Sequence, residues 1–233
     1  MSPFQPKTAL IVGAGSGLSA SLARSFAGAG MQVALAARRI DKLQALVDRT
    51  GAHAFACDVA DGDSIAGLFA QVDALLGAPD LVVYNPSARV KGPLVDLDPA
   101  EVANAITVTA FGGFLVAQQA IRRMLPKRQG AMLFTGASAS VKGYPQSAAF
   151  AMGKFALRGL AQSMARELAP QGIHVAHFVI DGAIRPQDGA HADDGSDNML
   201  DPDAIAQTYL QILQQPRNAW TWEVELRPWT ERF

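Results

Sequence analysis

A dominant charge is missing from this sequence. Twenty basic side chains face twenty-one acidic ones, for a net charge of −1. That balance gives no reason to expect nucleic acid or an anionic membrane as a partner. Charge of either sign is scarce, at 18% against 49% hydrophobic residues. The chain can therefore bury a large core and, beyond it, apolar surface between subunits. Cysteine is nearly absent: the one thiol, Cys57, excludes an internal disulfide and suits a reducing compartment. The opening MSPFQPKTALIV has no basic region followed by a signal-type apolar run. No segment reads as the long uncharged stretch that a membrane span needs. The expectation is a soluble, cytoplasmic protein.

What is present is an alternation of short apolar runs and helical stretches. Strands are expected at TALIV (8–12), MQVALAA (31–37), HAFAC (53–57), DLVVYN (80–85), AMLFTG (131–136) and IHVAHFVI (173–180). A last strand is expected at TWEVELR, where Trp222, Val224 and Leu226 alternate with polar residues. Between them lie helical stretches at 19–30, 41–51, 63–76, roughly 99–125, 147–169 and 202–214. No Pro/Ser linker interrupts the series, and 187–198 (QDGAHADDGSDN) reads as a mobile polar loop. The pattern predicts one α/β domain over residues 1–233, a doubly wound, Rossmann-like parallel sheet with helices on both faces.

The first strand–helix junction, GAGSG, is where such a sheet holds a nucleotide: glycines let the backbone approach a pyrophosphate seated at a helix N-terminus. The spacing Gly-x-Gly-x-x-Gly fails at Leu18, and the wider Gly-x-x-x-Gly-x-Gly fits Gly13 and Gly17 but ends on Ser19. At the end of the second strand, where a carboxylate would hold unphosphorylated ribose, the chain has Ala37 followed by Arg38 and Arg39. Guanidinium groups suit a 2′-phosphate, so NADP is favoured over NAD.

With these parts in place the chain resembles the short-chain dehydrogenase/reductase family over nearly its whole length. GAGSGL matches the family's cofactor turn, Asp58-Val59 the pair that contacts adenine, and VVYNPSA the place of its Asn-Asn-Ala-Gly motif, keeping Asn85 alone. FALRGLAQSMARELAPQGIHVAHFVIDGAI resembles the helix after the catalytic lysine and the strand leading to the substrate lid, here around 184–200. The resemblance implies hydride transfer between nicotinamide and a carbonyl or alcohol. It also implies cofactor contacts from Gly13, Gly15, Ser16, Gly17, Leu18, Arg38, Arg39, Asp58, Val59, Asn85, Lys154, Gly182 and Ile184.

The same resemblance exposes departures. In SAAFAMGKF, Phe150 stands where the family's Tyr-x-x-x-Lys pair has its tyrosine, Ala137 where it has serine, and Thr109 where it has asparagine. Ser87, Asp181 and Pro186 differ on the cofactor side. Lys154 alone survives from the catalytic set, and in the family this lysine also holds the nicotinamide ribose. Tyr144 and Ser138 are candidate replacement acids, with Ser140 and Ser147 weaker ones; Ser147 reads better as a helix N-cap. Three alternatives stay open: an oxidoreductase with a rerouted proton relay, a nucleotide-binding sensor or assembly protein without turnover, and a non-redox enzyme on the same scaffold.

No metal site is expected. His174 and His177 lie three apart on a strand and so face opposite sides, and HADDGSDN lacks the ligand spacing of a calcium loop. Trp220, Trp222 and Trp229 are expected in core or subunit packing. The two long helices carry apolar or small residues on more than one face, so a homodimer or homotetramer is expected.

Overall fold

The expected apolar runs become seven short strands. The structure, a computed structural model, describes residues 4–186 and 197–231. Its strands are β1 (Thr8–Val12), β2 (Gln32–Ala37), β3 (His53–Ala56), β4 (Leu81–Tyr84), β5 (Gly130–Thr135), β6 (Ile173–Ile180) and β7 (Glu223–Leu226). They pair in parallel, in the order β3-β2-β1-β4-β5-β6-β7. The central strands β1, β4, β5 and β6 are buried throughout, which is what continuous apolar runs without alternation imply.

The helices are α1 (Leu18–Gly28), α2 (Gln44–Thr50), α3 (Gly62–Leu76), α4 (Pro99–Ile106), α5 (Gly112–Met124), α6 (Ala148–Leu168) and α7 (Pro202–Leu213). Alternate strand residues feed two cores. Leu10, Val12, Val82 and Tyr84 pack with α3, α5 and α6, while Ala9, Ile11, Leu81 and Val83 pack with α1 and α7. On α6 the stripe Leu157, Ala161, Met164 and Leu168 faces the sheet at helical spacing. Truncating fully buried Leu157 to alanine would cost about 2–5 kcal/mol.

Two expectations are corrected here. The helical stretch at 99–125 is not one regular helix: a π turn at Thr107–Phe111 separates α4 from α5. Three β-branched residues in that turn give way to Gly112 and Gly113, which let the backbone press inward. A Cβ on Gly113 would fall 2.8 Å from Leu157, and one on Gly112 would meet the Val59 carbonyl at 2.5 Å. Because α4, the turn and α5 run on continuously, Pro99–Lys127 is long and apolar enough, by length and composition, to cross a membrane. Here Val116, Ala117, Ala120 and Ile121 instead bury its inner face against the sheet. Ser147 occupies the N-cap position of α6 as expected, but its side chain makes no capping hydrogen bond.

Among the tryptophans, Trp220 stacks on His174 with ring centroids 4.6 Å apart, and Trp222 lies under the Arg158 guanidinium. Trp229 is 82% exposed and so lies outside the core.

Candidate functional site

The strand order reverses between β1 and β4, and a crevice opens at their carboxyl ends, as open parallel sheets require. Gly13 leaves β1 with φ +81°, a conformation that disfavours any side chain. A Cβ there would fall 2.7 Å from the backbone nitrogen of Pro86, just past β4. The two strand ends therefore meet at a glycine–proline contact. Ser19, buried at the start of α1, donates from its hydroxyl to the Gly13 carbonyl at 3.0 Å and accepts from Asn85 Nδ2 at 2.7 Å. The serine that ends the wide glycine spacing thus ties the turn to the loop after β4. α1 itself begins behind Gly17, with no side-chain cap on its N-terminus, so its first N–H groups are left for water or a ligand.

The crevice is a cleft of about 310 Å³. Of the sequence candidates, Gly13, Arg38, Asp58, Val59 and Asn85 line it, along with Pro86 and Cys57. Gly15, Ser16, Gly17, Leu18, Arg39, Lys154, Gly182 and Ile184 are not among its described lining residues. Gly15, Ser16 and Gly17 lie at the surface between strand and helix, while Leu18 is buried in the core beneath them. Arg38 reaches the cleft from the exposed end of β2, and Arg39 turns aside to pair with Asp41 at 3.1 Å. Cys57, which the sequence showed only as a lone thiol, has its pKa raised by burial.

Across the end of β5 lies Lys154. It is 2% exposed, and its Nζ donates to the Thr135 carbonyl at 2.7 Å. Burial, helped by the nearby Arg89 cation, pushes its pKa down to about 7. One helical turn earlier on α6, the Phe150 ring lies 5.9 Å from this ammonium and carries the Arg89 guanidinium on its face at 4.2 Å. Arg89 was not singled out in the sequence, because the pairing joins the loop after β4 to a helix far along the chain. Thr109, fully buried in the π turn, accepts from the Ala88 N–H at 3.0 Å, so it anchors that loop.

The other candidates serve the surroundings. Ser140 is buried and accepts from the Ala137 N–H; Ser138 is half-buried and Tyr144 is 45% exposed in the turn before α6. Asp181, buried past β6, takes Lys142 at 3.0 Å and Arg227 at 3.4 Å, which ties the loop after β5 to the loop after β6. Next to it, Gly182 packs under Pro228. Residues 187–196 of the expected lid lie outside the described residues. The base of that stretch is closed by an Arg185 N–H donating to the Leu200 carbonyl and a Leu200 N–H donating to that of Ala183; Ile184 forms the bridge.

Behind Lys154, His177 is wholly buried with Nδ1 3.1 Å from Glu223, which Arg158 grips in two-pronged fashion at 2.6 and 2.7 Å. Burial holds the imidazole neutral, with its pKa down to about 4. His174, on the opposite face, bonds the Thr221 carbonyl instead. No group of three metal-ligating side chains occurs among the described residues.

A family model described as short chain dehydrogenase matches residues 7–187. A short chain dehydrogenase of Pseudocercospora fijiensis is 29% identical over 228 residues, 94% of this chain and 72% of that one. Among solved structures, a short-chain dehydrogenase from Rhodopseudomonas palustris is 34% identical with a TM-score of 0.83, covering 95% of this chain and 98% of its own. A metagenomic short-chain oxidoreductase solved in complex with NADP is 27% identical, with a TM-score of 0.83 over 95% of this chain and 97% of that one.

Proposed function

The chain belongs to the short-chain dehydrogenase family, and we propose that it is an NADP-dependent oxidoreductase of a small carbonyl or alcohol, with a proton relay unlike the family's usual one. The observation that carries this reading is the cleft at the strand-order reversal, lined by Gly13, Arg38, Asp58 and Asn85. Its residues fit a dinucleotide. The turn presents a glycine that no side chain can replace and an uncapped helix N-terminus, both suited to a pyrophosphate. The structure of a relative in complex with NADP supports the same cofactor.

In this reading Arg38 pairs with the 2′-phosphate, and Asp58 and Val59 flank the adenine. Lys154 reaches the nicotinamide ribose. Bound NADP supplies or accepts the hydride. Phe150 replaces the family's tyrosine, so no phenol gives the proton. Lys154 Nζ, poised to titrate near neutrality, can hold or release one beside the ribose. Losing a positioned general acid typically lowers the rate about 10²–10⁴-fold, so turnover is slow or takes its proton elsewhere.

A second reading rests on Phe150, Ala137 and Thr109 together: a nucleotide-binding protein without turnover. In either reading the chain acts in the cytoplasm as a homodimer or homotetramer, a proposal resting on its single free cysteine and its exposed apolar helix faces.

Calorimetric titration of NADP, NADPH, NAD and NADH tests the reading, beside Arg38→Ala and Lys154→Ala. Phosphorylated nucleotides should bind more tightly, with the preference abolished in Arg38→Ala and overall affinity reduced in Lys154→Ala. Failure of all four to bind would remove both readings.

A further inference from the structure

Arg89 is a cation without a carboxylate. Its guanidinium carbon lies over the Phe150 ring, 4.2 Å from the centroid. No ion pair involves it among the described residues. Two nearby acids are already paired: Asp181 is held by Lys142 and Arg227, and Glu223 by Arg158 and His177. An exposed arginine ordinarily roams; this one sits on a segment pinned at both ends. Before it, the Ala88 N–H donates to Thr109 Oγ1 at 3.0 Å. After it, the Gly92 N–H donates to the Gln146 carbonyl at 3.2 Å, which fastens the segment to the turn before α6.

The guanidinium makes no hydrogen bond or ion pair among the described residues, so its N–H donors are free. Those donors lie in one plane, the geometry that takes a carboxylate with two parallel bonds. Lys154 Nζ lies 5.9 Å from the centroid of the same ring, and the Arg89 cation adds to the burial that depresses the lysine. Two basic side chains lie against one ring, and no described carboxylate pairs the guanidinium, an arrangement that an incoming anion relieves and a neutral ketone does not.

Resting on the oxidoreductase reading above, we propose that Arg89, held over Phe150, binds the carboxylate of the substrate, so that the substrate is a small oxo acid or the matching hydroxy acid. The ring of Phe150 is then a platform that aims the guanidinium. Its lack of a hydroxyl leaves the guanidinium face nothing polar to compete with.

The test uses the purified chain loaded with oxidised NADP, which lets a ketone bind without reacting. Binding of pyruvate, 2-oxobutanoate and levulinate is measured by calorimetry beside the methyl ester of each, in the wild type and in Arg89→Ala and Arg89→Lys. At least one acid should bind more tightly than its ester. Arg89→Ala should weaken that acid roughly 10- to 100-fold, the range for a hydrogen bond to a charged group. The esters and NADP itself should be unaffected, and Arg89→Lys should fall between. Three results overturn the inference. No acid binds better than its ester, or Arg89→Ala leaves the preference intact, or Arg89→Ala weakens NADP as much as the acid, which would make Arg89 a nucleotide contact. Loss of NADP binding in the wild type would instead remove the oxidoreductase reading, and the substrate class with it.

Discussion

Asn85 donates to the Ser19 hydroxyl at 2.7 Å, and Ser19 in turn donates to the Gly13 carbonyl at 3.0 Å. This short chain joins the ends of β1 and β4, the two strands between which the cleft opens. Ser19→Ala would strip Asn85 of its acceptor, leaving a contact of 3.5 Å to the Gly13 carbonyl. A buried polar group left unpaired costs about 1–3 kcal/mol. Ser19→Ala should therefore lower stability by about that much in urea denaturation and weaken NADP binding several-fold. Ser19→Gly, which restores the wide glycine spacing, should lose as much; full affinity in both variants would show the bond to be idle.

Lys154 makes a prediction about pH. Its pKa is about 7 in the folded chain against an ordinary 10.5. Between those values the unfolded chain carries a proton that the folded chain lacks, so this group's contribution to stability rises with pH across that window. Below 7 both states are protonated and the penalty of burying the charge is present in full. Lys154→Met should be more stable than the wild type below pH 7, by a few kcal/mol at most once the lost bond to Thr135 is set against it. The gap should close as the pH rises towards 10. Parallel denaturation curves at every pH would show that the lysine is not desolvated.

The outer faces of α5 and α6 predict assembly. Phe111, 54% exposed, stacks on Phe114 at 6.0 Å, and Met152 and Phe155 project from α6 at 54% and 45% exposure. Large exposed apolar side chains gathered on these elements suit a protein–protein interface. Light scattering should find a dimer or tetramer, and Phe111→Arg with Phe155→Arg should give a folded monomer. A wild-type monomer at micromolar concentration would contradict this.

The strands were legible because burial on both faces leaves a plain signature: IHVAHFVI is β6 from end to end. Lys154 and the glycine turn were legible by resemblance, since each sits in a local motif. The π turn was not, because β-branched residues at 107–109 suit several backbone conformations and only packing against Tyr84 and Leu157 selects one. Nor were the cross-chain pairs. Lys142 and Asp181 meet across 39 residues, and Arg89 meets Phe150 only because the loop after β4 is folded back over α6. Such contacts depend on tertiary geometry that no local spacing records.

That same Arg89–Phe150 stack makes a last prediction, about a residue that is not there. Phe150→Tyr would place a phenol near Lys154 and the Arg89 guanidinium, at a half-buried position. Nearby positive charge favours phenolate, while partial burial opposes it; Lys154 is largely neutral above pH 7, so the permanent Arg89 charge carries the effect and should win. The new tyrosine should therefore titrate below the usual phenol value of about 10. The native tyrosines leave room to see it: Tyr84 and Tyr209 are pushed well up by burial, and a Tyr144→Phe background removes the exposed one. Phenolate absorbance in that background should rise ahead of all other tyrosine signal, and adding Arg89→Ala should move it back towards higher pH. A titration no lower than an ordinary phenol's would mean that Arg89 does not act at the hydroxyl, and that these surroundings cannot support the family's proton relay even when the tyrosine is restored.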